Sequence, residues 1–320
     1  MHLLIPFAYG HDDECRQAFQ HLALPHLHQL LRRLRPEPPD EGDEWTLSPP
    51  HERAHARARG LPCTDGLIPW AAWRALHEPQ HQLAVAADGG NWGYLSPCHW
   101  LASLDRLTMT GPNLPELSEL ESRALLTTLA EFTQADGITL HYERPDRWLV
   151  QGELLRDLPT ASLDRVLGQN LAPWITRQGG GAPWRRLHSE LQMLLYAHPV
   201  NDERAARGLP TINSVWLHGT GSLAERAAPV APTHPTLTIA TPLRDSALTQ
   251  DWPAWGHAWQ ALDAGLCADM AAQVKRGETV RLTLCGQRRA ITWASQPPSL
   301  TQRIKILFGG PPDLRLLEPL

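Results

Sequence analysis

Short runs of apolar residues, bounded by glycine, proline or polar turns, recur along the chain and predict β-strands. Three pairs of these runs are typical of hairpins, one around Asp88-Gly89-Gly90-Asn91, one around a Pro145-Asp146 turn and one around Gly286. The predicted strands are residues 3–8, 83–87, 92–97, 107–110, 139–143, 147–151, 211–217, 237–241, 278–285 and 287–294.

Other segments repeat apolar residues at helical spacing and predict amphipathic helices. The clearest is 118–136, where Ser118 as N-cap and Glu121 three residues later form a capping box. A longer one, 11–35, contains Pro25, so we expect a break or kink there. The other predicted helices are 51–59, 68–76, 162–167, 184–197, 254–265 and 267–275. Strands and helices are mixed throughout, which predicts an α/β fold with a mixed sheet flanked by helices.

Composition narrows the classes of function. The net charge of −5 gives no indication of nucleic-acid binding. No apolar run approaches about 18 residues, so we expect no membrane partner. The N-terminus lacks the features of a secretion signal and the five cysteines are scattered, so we expect reduced thiols and a cytoplasmic location. Thirteen tryptophans are unusual beside four tyrosines and four phenylalanines, and they are expected in the core, in a pocket or in an exposed patch.

One stretch, residues 188–221, combines polar residues, glycines and element boundaries. A helix ends before His198, a turn with Asn201 as its N-cap follows, and the strand 211–217 leads into a predicted glycine loop, 218–221. Backbone N–H groups of such a loop can hold an anion, and nearby polar side chains can add hydrogen bonds. The predicted ligand-binding residues are His198, Asn201, Arg204, Asn213, His218, Gly219 and Gly221. The alternative is a purely structural turn beside a satisfied histidine and a core tryptophan.

The segment HPVNDERAARGLPTINSVWLHGTG, residues 198–221, resembles a stretch of the archaeal-type cofactor-independent phosphoglycerate mutases, with His218 where that pattern has arginine. A wider set of segments resembles a proteobacterial group of phosphoglycerate mutase-like, RpfE-type regulatory proteins: DGLIPWAAW, SPCHW, ESRALL, HYERPDRWL, TASLDRVLG and ELQMLLYAHPVN. The resemblance implies a reduced alkaline-phosphatase-like fold. We divide the chain accordingly into an N-terminal α/β region, 1–136, with a proline-rich loop at 36–50, and a phosphoglycerate mutase-like region, 137–320, centred on 184–221.

The resemblance also implies a catalytic site with two metal ions and a serine nucleophile. Such a site needs an acidic ligand after the first strand and a late cluster of aspartate and histidine. Here Asp12 and Asp13 are explained equally well as acids at a helix start, and the late aspartates Asp263, Asp269 and Asp313 are not grouped with other ligands. We therefore predict no metal site and no cofactor, with Mn²⁺ or Mg²⁺ only if an active mutase has a rearranged site.

Several smaller groups have both a functional and a structural interpretation. A histidine pair at helical spacing can bind zinc, an adjacent cysteine and histidine can form a nucleophile, and acids near a turn can line a pocket. In each case we favour the structural interpretation. These groups are His51 with His55, His26 with His28, Cys98 with His99, Asp65, Asp164 with Arg165, and Glu190.

The sequence favours a catalytically degenerate phosphoglycerate mutase-like protein that binds a small anionic or phosphorylated metabolite in a regulatory or binding role. One alternative is an active metal-dependent phosphomutase or phosphatase with a rearranged site. The other is a Trp-rich protein-interaction module with a protein partner.

Overall fold

A computed structural model describes residues 1–10, 12–77, 90–110, 116–177, 181–223, 236–295 and 320. The helices are α1 Asp13–Gln20, α2 Pro25–Arg33, α3 Pro50–Ala58, α4 Trp70–His77, α5 Glu119–Thr133, α6 Leu163–Val166, α7 Ala172–Arg177, α8 Gly181–Tyr196, α9 Pro199–Ala206, α10 Arg244–Leu248, α11 Trp252–Leu262 and α12 Ala268–Lys275. The strands are β1 His2–Ile5, β2 Arg35–Pro36, β3 Asp40–Glu41, β4 Trp92–Cys98, β5 Trp100–Ala102, β6 Leu107–Met109, β7 Thr139–Arg144, β8 Arg147–Gln151, β9 Ser214–Gly221, β10 Leu237–Ile239, β11 Arg281–Cys285 and β12 Arg289–Ala294.

The mixed α/β class with a mixed sheet flanked by helices is confirmed. The capping box of α5 forms as predicted, with Ser118 and Glu121 bonding each other's backbone N–H. The predicted helix 11–35 is two helices, because Pro25 begins α2 at its first turn. The predicted strand 83–87 lies outside the described residues. Within the described ranges, no helix has the length and apolar character needed to cross a membrane.

The described residues form two compact units. Unit 1 comprises Met1–Trp45, Pro49–Gly60 and Ala231–Leu320, and unit 2 comprises Thr46–Ser48 and Leu61–Val230. The predicted division between residues 136 and 137 falls inside unit 2. One apolar core there contains Leu125 and Leu129 from before this point and Leu140 and Trp148 from after it. The predicted regions therefore do not coincide with the units, because both ends of the chain contribute to unit 1.

Unit 1 is built on a six-stranded mixed sheet in the order β10-β1-β11-β12-β2, with β3 also paired to β12. Strand β1 is parallel to β10 and β11, whereas β11 and β12 are antiparallel. Because side chains alternate along a strand, Leu3 and Ile5 enter the main core, while Leu4 lies on the opposite face with Cys285 and Ala290. Helix α3 packs on the sheet with Ala54 against that second face.

Tryptophans of α11 fix the chain that leaves β1. Trp255 and Trp259 are fully buried and lie on one face of the helix. Their indole N–H groups donate to the carbonyl oxygens of Phe7 and Ala8, at 3.0 and 3.2 Å. Each indole thus buries a large apolar ring and also satisfies a buried backbone acceptor.

Unit 2 contains a four-stranded antiparallel sheet in the order β7-β8-β4-β9. Helices α5 and α8 contribute to the core on one face, where Leu95 and Trp148 lie, and α4 packs near Trp92 and Tyr94 of the other. Trp148 donates to Ser122 Oγ of α5 at 2.9 Å, which ties helix to sheet. The predicted strand 92–97 is confirmed as β4.

Most of the tryptophans are core residues. All thirteen lie in the described ranges, and Trp92, Trp148, Trp216, Trp255 and Trp259 are fully buried. Trp45, 39% exposed, is the one exposed tryptophan among them. The prediction of a contiguous exposed tryptophan surface, on which the Trp-rich interaction alternative depends, is therefore wrong.

A long-range cap holds α2. Its N-cap residue, Leu24, has no side chain that can accept a hydrogen bond. The buried carboxylate of Asp263, in the π-helical turn Asp263–Cys267 that joins α11 to α12, accepts instead from the backbone N–H groups of His26 and Leu27, at 3.2 and 2.7 Å. The Asp263 carboxylate thus caps the N-terminus of α2, where a negative charge stabilises a helix.

Asp263→Ala should lower the free energy of unfolding by about 1–3 kcal/mol, because two buried N–H groups lose their acceptor. Urea unfolding measures the change. The control is Asp269→Ala, which removes an exposed acid of α12 and should change the value by less than about 0.5 kcal/mol. Equal effects would contradict the capping role.

Candidate functional site

The predicted glycine loop is part of a strand. Strand β9 begins at Ser214, three residues later than predicted, and extends through His218-Gly219-Thr220-Gly221. It pairs with β4, with His218 opposite Tyr94, Gly221 opposite Trp92, and a bulge between these pairs. The prediction of a loop failed because a Gly-x-Gly pattern also suits a β-bulge, where positive φ is needed.

The two glycines are required by packing. Gly219 has φ +61°, and a Cβ there would approach Tyr94 to 2.9 Å. Gly221 has φ +151°, and a Cβ would lie 2.9 Å from the backbone of Pro69. Their backbone participates in the bulged β4–β9 ladder, so these residues form no free anion-binding loop.

His218 is directed at its own sheet. Its Nε2 lies 3.1 Å from Ser96 Oγ on β4, and its ring packs against Tyr94 with centroids 5.4 Å apart. Burial, and then the nearby positive charge of Arg147, lowers the pKa of His218 to about 3. The ring is therefore uncharged at neutral pH and does not add a positive charge for an anion.

His198 and Asn201 hold the connection between α8 and α9. His198, rather than the predicted Asn201, is the N-cap of α9, and its Nδ1 accepts from Val200 N–H at 3.2 Å. The buried Asn201 side chain donates to the carbonyl oxygens of Leu195 and Ile212, at 2.7 and 2.8 Å, and accepts from Ile212 N–H at 2.7 Å. Asn201 thus joins the end of α8 to the segment that enters β9.

Asn213 is also engaged with the backbone. Its side chain accepts from Trp100 N–H at 2.7 Å and donates to the Trp100 carbonyl oxygen at 2.9 Å. This pair of bonds fixes β5 beside the start of β9. The Asn213 amide thus pairs with the backbone N–H and C=O of one residue, as a neighbouring strand would, and both of these bonds are internal to the protein.

Arg204 is fully buried, and its guanidinium bonds to backbone carbonyl oxygens and to a carboxylate. It donates to the carbonyl oxygens of Pro210 and Glu116, at 2.8 and 2.9 Å, and its Nη1 lies 3.3 Å from Glu121 Oε1. Its Nη2 is buried with no hydrogen-bond partner in the described part of the chain, so two of the five guanidinium N–H donors are unpaired there. The bonds that do form connect α9 to the start of α5.

Glu121 is the shared acid of this region. It completes the capping box of α5 and pairs with Arg204 and Arg207. Burial alone would raise the pKa of Glu121, but the hydrogen bonds from Ser118 and the two arginines outweigh it and lower the pKa to about 2. The carboxylate is therefore ionised in the folded protein at all ordinary pH values.

The described residues do not fit a pair of metal ions. Nowhere in the described ranges do three histidine, cysteine, aspartate or glutamate side chains form a metal-binding group. Asp12 accepts from Cys15 N–H as the N-cap of α1, and Asp263 caps α2. Asp65 accepts from the backbone N–H groups of Leu47 and Ser48, at 3.1 and 2.8 Å. These three acids are thus engaged by backbone donors.

A polar cavity of about 280 Å³ lies within unit 1, between α3 and the sheet; we call it the unit 1 cavity. Its floor is a hydrogen-bonded row on the sheet: His2 Nε2 lies 2.8 Å from Thr283 Oγ1, which lies 2.9 Å from Thr292 Oγ1. Ala54 and Ala58, one helical turn apart on α3, face this floor, and their small side chains leave the space open.

Charged pairs line the same cavity. Asp40 accepts from Arg53 Nε at 2.9 Å and from Arg57 Nη2 at 2.8 Å, and Arg281 pairs with Glu37. Burial would raise the pKa of Asp40, but Arg57 and Arg53 outweigh it and lower the pKa. This cavity was not predicted, because residues 51–59 were interpreted only as a helix. The alternation of alanine and arginine at helical spacing in that segment is the signal that was available.

The sequence matches no family model and no curated protein sequence. Two solved structures are similar to the chain. The PH0037 protein of Pyrococcus horikoshii is 10% identical with a TM-score of 0.42, over 92% of this chain and 87% of that chain. A cofactor-independent phosphoglycerate mutase of Thermoplasma acidophilum DSM 1728 is 10% identical with a TM-score of 0.36, over 93% and 90%. At these scores neither likeness assigns an activity or a residue role, and the RpfE-type resemblance stays a prediction.

Arg204→Ala should lower the free energy of unfolding by about 3 kcal/mol, because it removes a buried ion-pair partner and leaves two carbonyl acceptors unpaired. Thermal or urea unfolding measures the loss. Arg123→Ala removes an arginine that is half exposed and pairs with Glu119 on α5, so this control should cost less than about 1 kcal/mol. A small effect at Arg204 would contradict its structural role.

Glu121 should make stability depend on pH in the acid range. Its pKa is lowered from 4.5 to about 2 on folding, so its contribution is fully present above 4.5 and is lost as pH falls toward 2. The difference in free energy of unfolding between the wild type and Glu121→Gln should shrink across that window. Urea unfolding at a series of pH values checks it, and a difference independent of pH would contradict it.

Proposed function

We propose that this chain binds a small anionic metabolite in the unit 1 cavity and acts in a regulatory or binding role, without metal-dependent phosphoryl transfer. The observation that carries the proposal is the cavity itself, which places arginines at its edge and a row of hydrogen-bonding groups at its floor. The phosphoglycerate mutase-like ancestry implied by the sequence resemblance is compatible with such a role, since a fold can outlast its original site.

Charge favours an anion over a cation. Arg57 and Arg281, which line the cavity, and the neighbouring Arg53 pair with the carboxylates of Asp40 and Glu37. Asp40 is shared by Arg53 and Arg57, so these five side chains together hold three positive charges and two negative ones. A ligand carboxylate or phosphate can join such a group through charge-assisted hydrogen bonds, which are shorter and stronger than neutral ones.

The floor and the volume limit the ligand further. Thr283 and Thr292 present hydroxyls, which can donate to or accept from a ligand hydroxyl. A cavity of about 280 Å³ lies at the small end of ligand pockets. A compact hydroxycarboxylate or phosphorylated anion suits this space, whereas a nucleotide is too large.

A panel of small hydroxycarboxylates and phosphorylated metabolites should contain at least one compound that raises the melting temperature. At about 100 times its Kd a ligand adds about 2.7 kcal/mol of stability. Arg57→Gln should abolish most of the shift, because it removes a guanidinium at the cavity. Ala54→Leu should abolish it by filling the space.

Arg16→Gln is the matched control, because Arg16 is also half exposed and paired with an aspartate within unit 1. It should leave the shift intact. No shift with any compound, or equal loss in the control, would contradict the binding site. Turnover of phosphoglycerate in the presence of Mn²⁺ would instead overturn the non-catalytic part of the proposal and favour the active-mutase alternative.

A further inference from the structure

Unit 2 has an apolar groove between α5 and the end of α8, which we call the α5–α8 groove. It has a volume of about 710 Å³. Its walls include Thr128 and Phe132 from α5, Met193, Leu194 and Ala197 from the α8 side, and Pro199 at the start of α9. None of the functions considered above uses this surface.

Large apolar side chains remain in water at this place. Met193 is 71% exposed, and Tyr196, at the last position of α8, is 81% exposed. Exposed methionine beside a preformed apolar groove is typical of surfaces that receive an apolar partner, because the flexible thioether adapts to its contact.

Acidic residues predominate in the segments that form the groove. Segments 124–136 and 187–203, which supply its walls, contain five acidic residues and no lysine or arginine. The five are Glu131, Asp136, Glu190, Asp202 and Glu203. Arg186, just outside, pairs with Asp136 at 3.0 Å and lies 3.9 Å from Glu190. Two other arginines next to these segments are engaged elsewhere: Arg123 lies over the ring of Tyr142, and Arg204 is buried beside Glu121.

The C-terminal ends of α5 and α8 contribute partial negative charge, and the opposite partial charge at the start of α9 is offset by Asp202 in its first turn. Phe132 lies in the last turn of α5, and Met193 and Leu194 lie in the last turn of α8. Neither last turn contains a basic residue that would offset the partial negative charge of a helix C-terminus. A cation placed near such an end gains about 0.3–1 kcal/mol.

His198, which borders the groove, does not oppose a cation. Its Nε2 lies 3.1 Å from Thr128 Oγ1, and its Nδ1 accepts from Val200 N–H. Burial lowers its pKa, which favours the uncharged ring. The apolar walls and the surrounding acidic residues therefore favour the same kind of ligand, one that is both apolar and positively charged.

We propose that the α5–α8 groove docks a basic amphipathic helix of a protein partner, with apolar side chains in the groove and lysine or arginine toward the acidic rim. A helix in a groove presents its apolar residues at i, i+3, i+4 and i+7. Opposite charges at the rim set orientation and speed association.

The test uses a fluorescent synthetic helix of leucine and lysine, with leucine at that spacing, and measures anisotropy on the full chain. This peptide should bind roughly tenfold more tightly than a leucine–glutamate version of the same pattern. Met193→Ser and Glu190→Lys should each weaken binding of the lysine peptide by roughly tenfold, the first by removing apolar contact and the second by reversing a rim charge. Added salt should weaken it as well.

Leu120→Ser is the matched control, because Leu120 is 82% exposed at the other end of α5. It should leave binding unchanged. Melting curves of the groove variants should match the wild type, since the Met193 side chain is largely exposed and the Glu190 side chain is partly exposed. Absence of peptide binding, equal binding of the acidic peptide, or equal loss in the control would overturn the proposal. So would a concentration-dependent dimer that Met193→Ser abolishes, because a second copy would then cover the groove.

Discussion

The guanidinium of Arg204 is taken entirely out of water, and a buried charge has to be paired inside the protein. The segment before α5, the first turn of α5 and the segment before β9 supply its partners, with Glu121 as the counter-charge. Asn201 meets the same requirement for a neutral amide. The polar residues of 198–221 thus hold segments of unit 2 together through buried hydrogen bonds. The candidate binding surfaces lie at other residues.

The two units leave open space in different ways. In unit 1 small alanines of α3 stand over a polar sheet face, so the unit 1 cavity is walled by hydrogen-bonding groups. In unit 2 the ends of α5 and α8 leave the α5–α8 groove open, and its lining is mainly apolar. A polar cavity selects small solutes by hydrogen bonds, whereas an apolar groove gains most from burying another protein's surface. The proposed ligand and the proposed partner follow from this difference.

Structural features that depend only on residues close together in the chain were predicted correctly from the sequence. The capping box at Ser118 and Glu121, the break at Pro25 and the hairpin strands β11 and β12 depend on neighbours in the chain and were predicted. The strand character of 218–221 depends on β4, and the composition of unit 1 depends on pairing between the two ends of the chain. The side-chain partners of Arg204, Asn213 and His218 come from distant segments, so residue type alone did not separate a ligand contact from an internal bond.

The pairing of β1 with β11 and β10 has a consequence for how the protein is made. The first strand is synthesised long before its sheet neighbours at 237–239 and 281–285, and closing so long a loop is entropically costly. Most of unit 2 is contiguous and leaves the ribosome earlier. The apolar side chains of β1, α1 and α2 therefore lack their packing partners until residues 237–285 have been synthesised, and exposed apolar segments are prone to aggregate. The order of synthesis thus delays the folding of unit 1 more than that of unit 2.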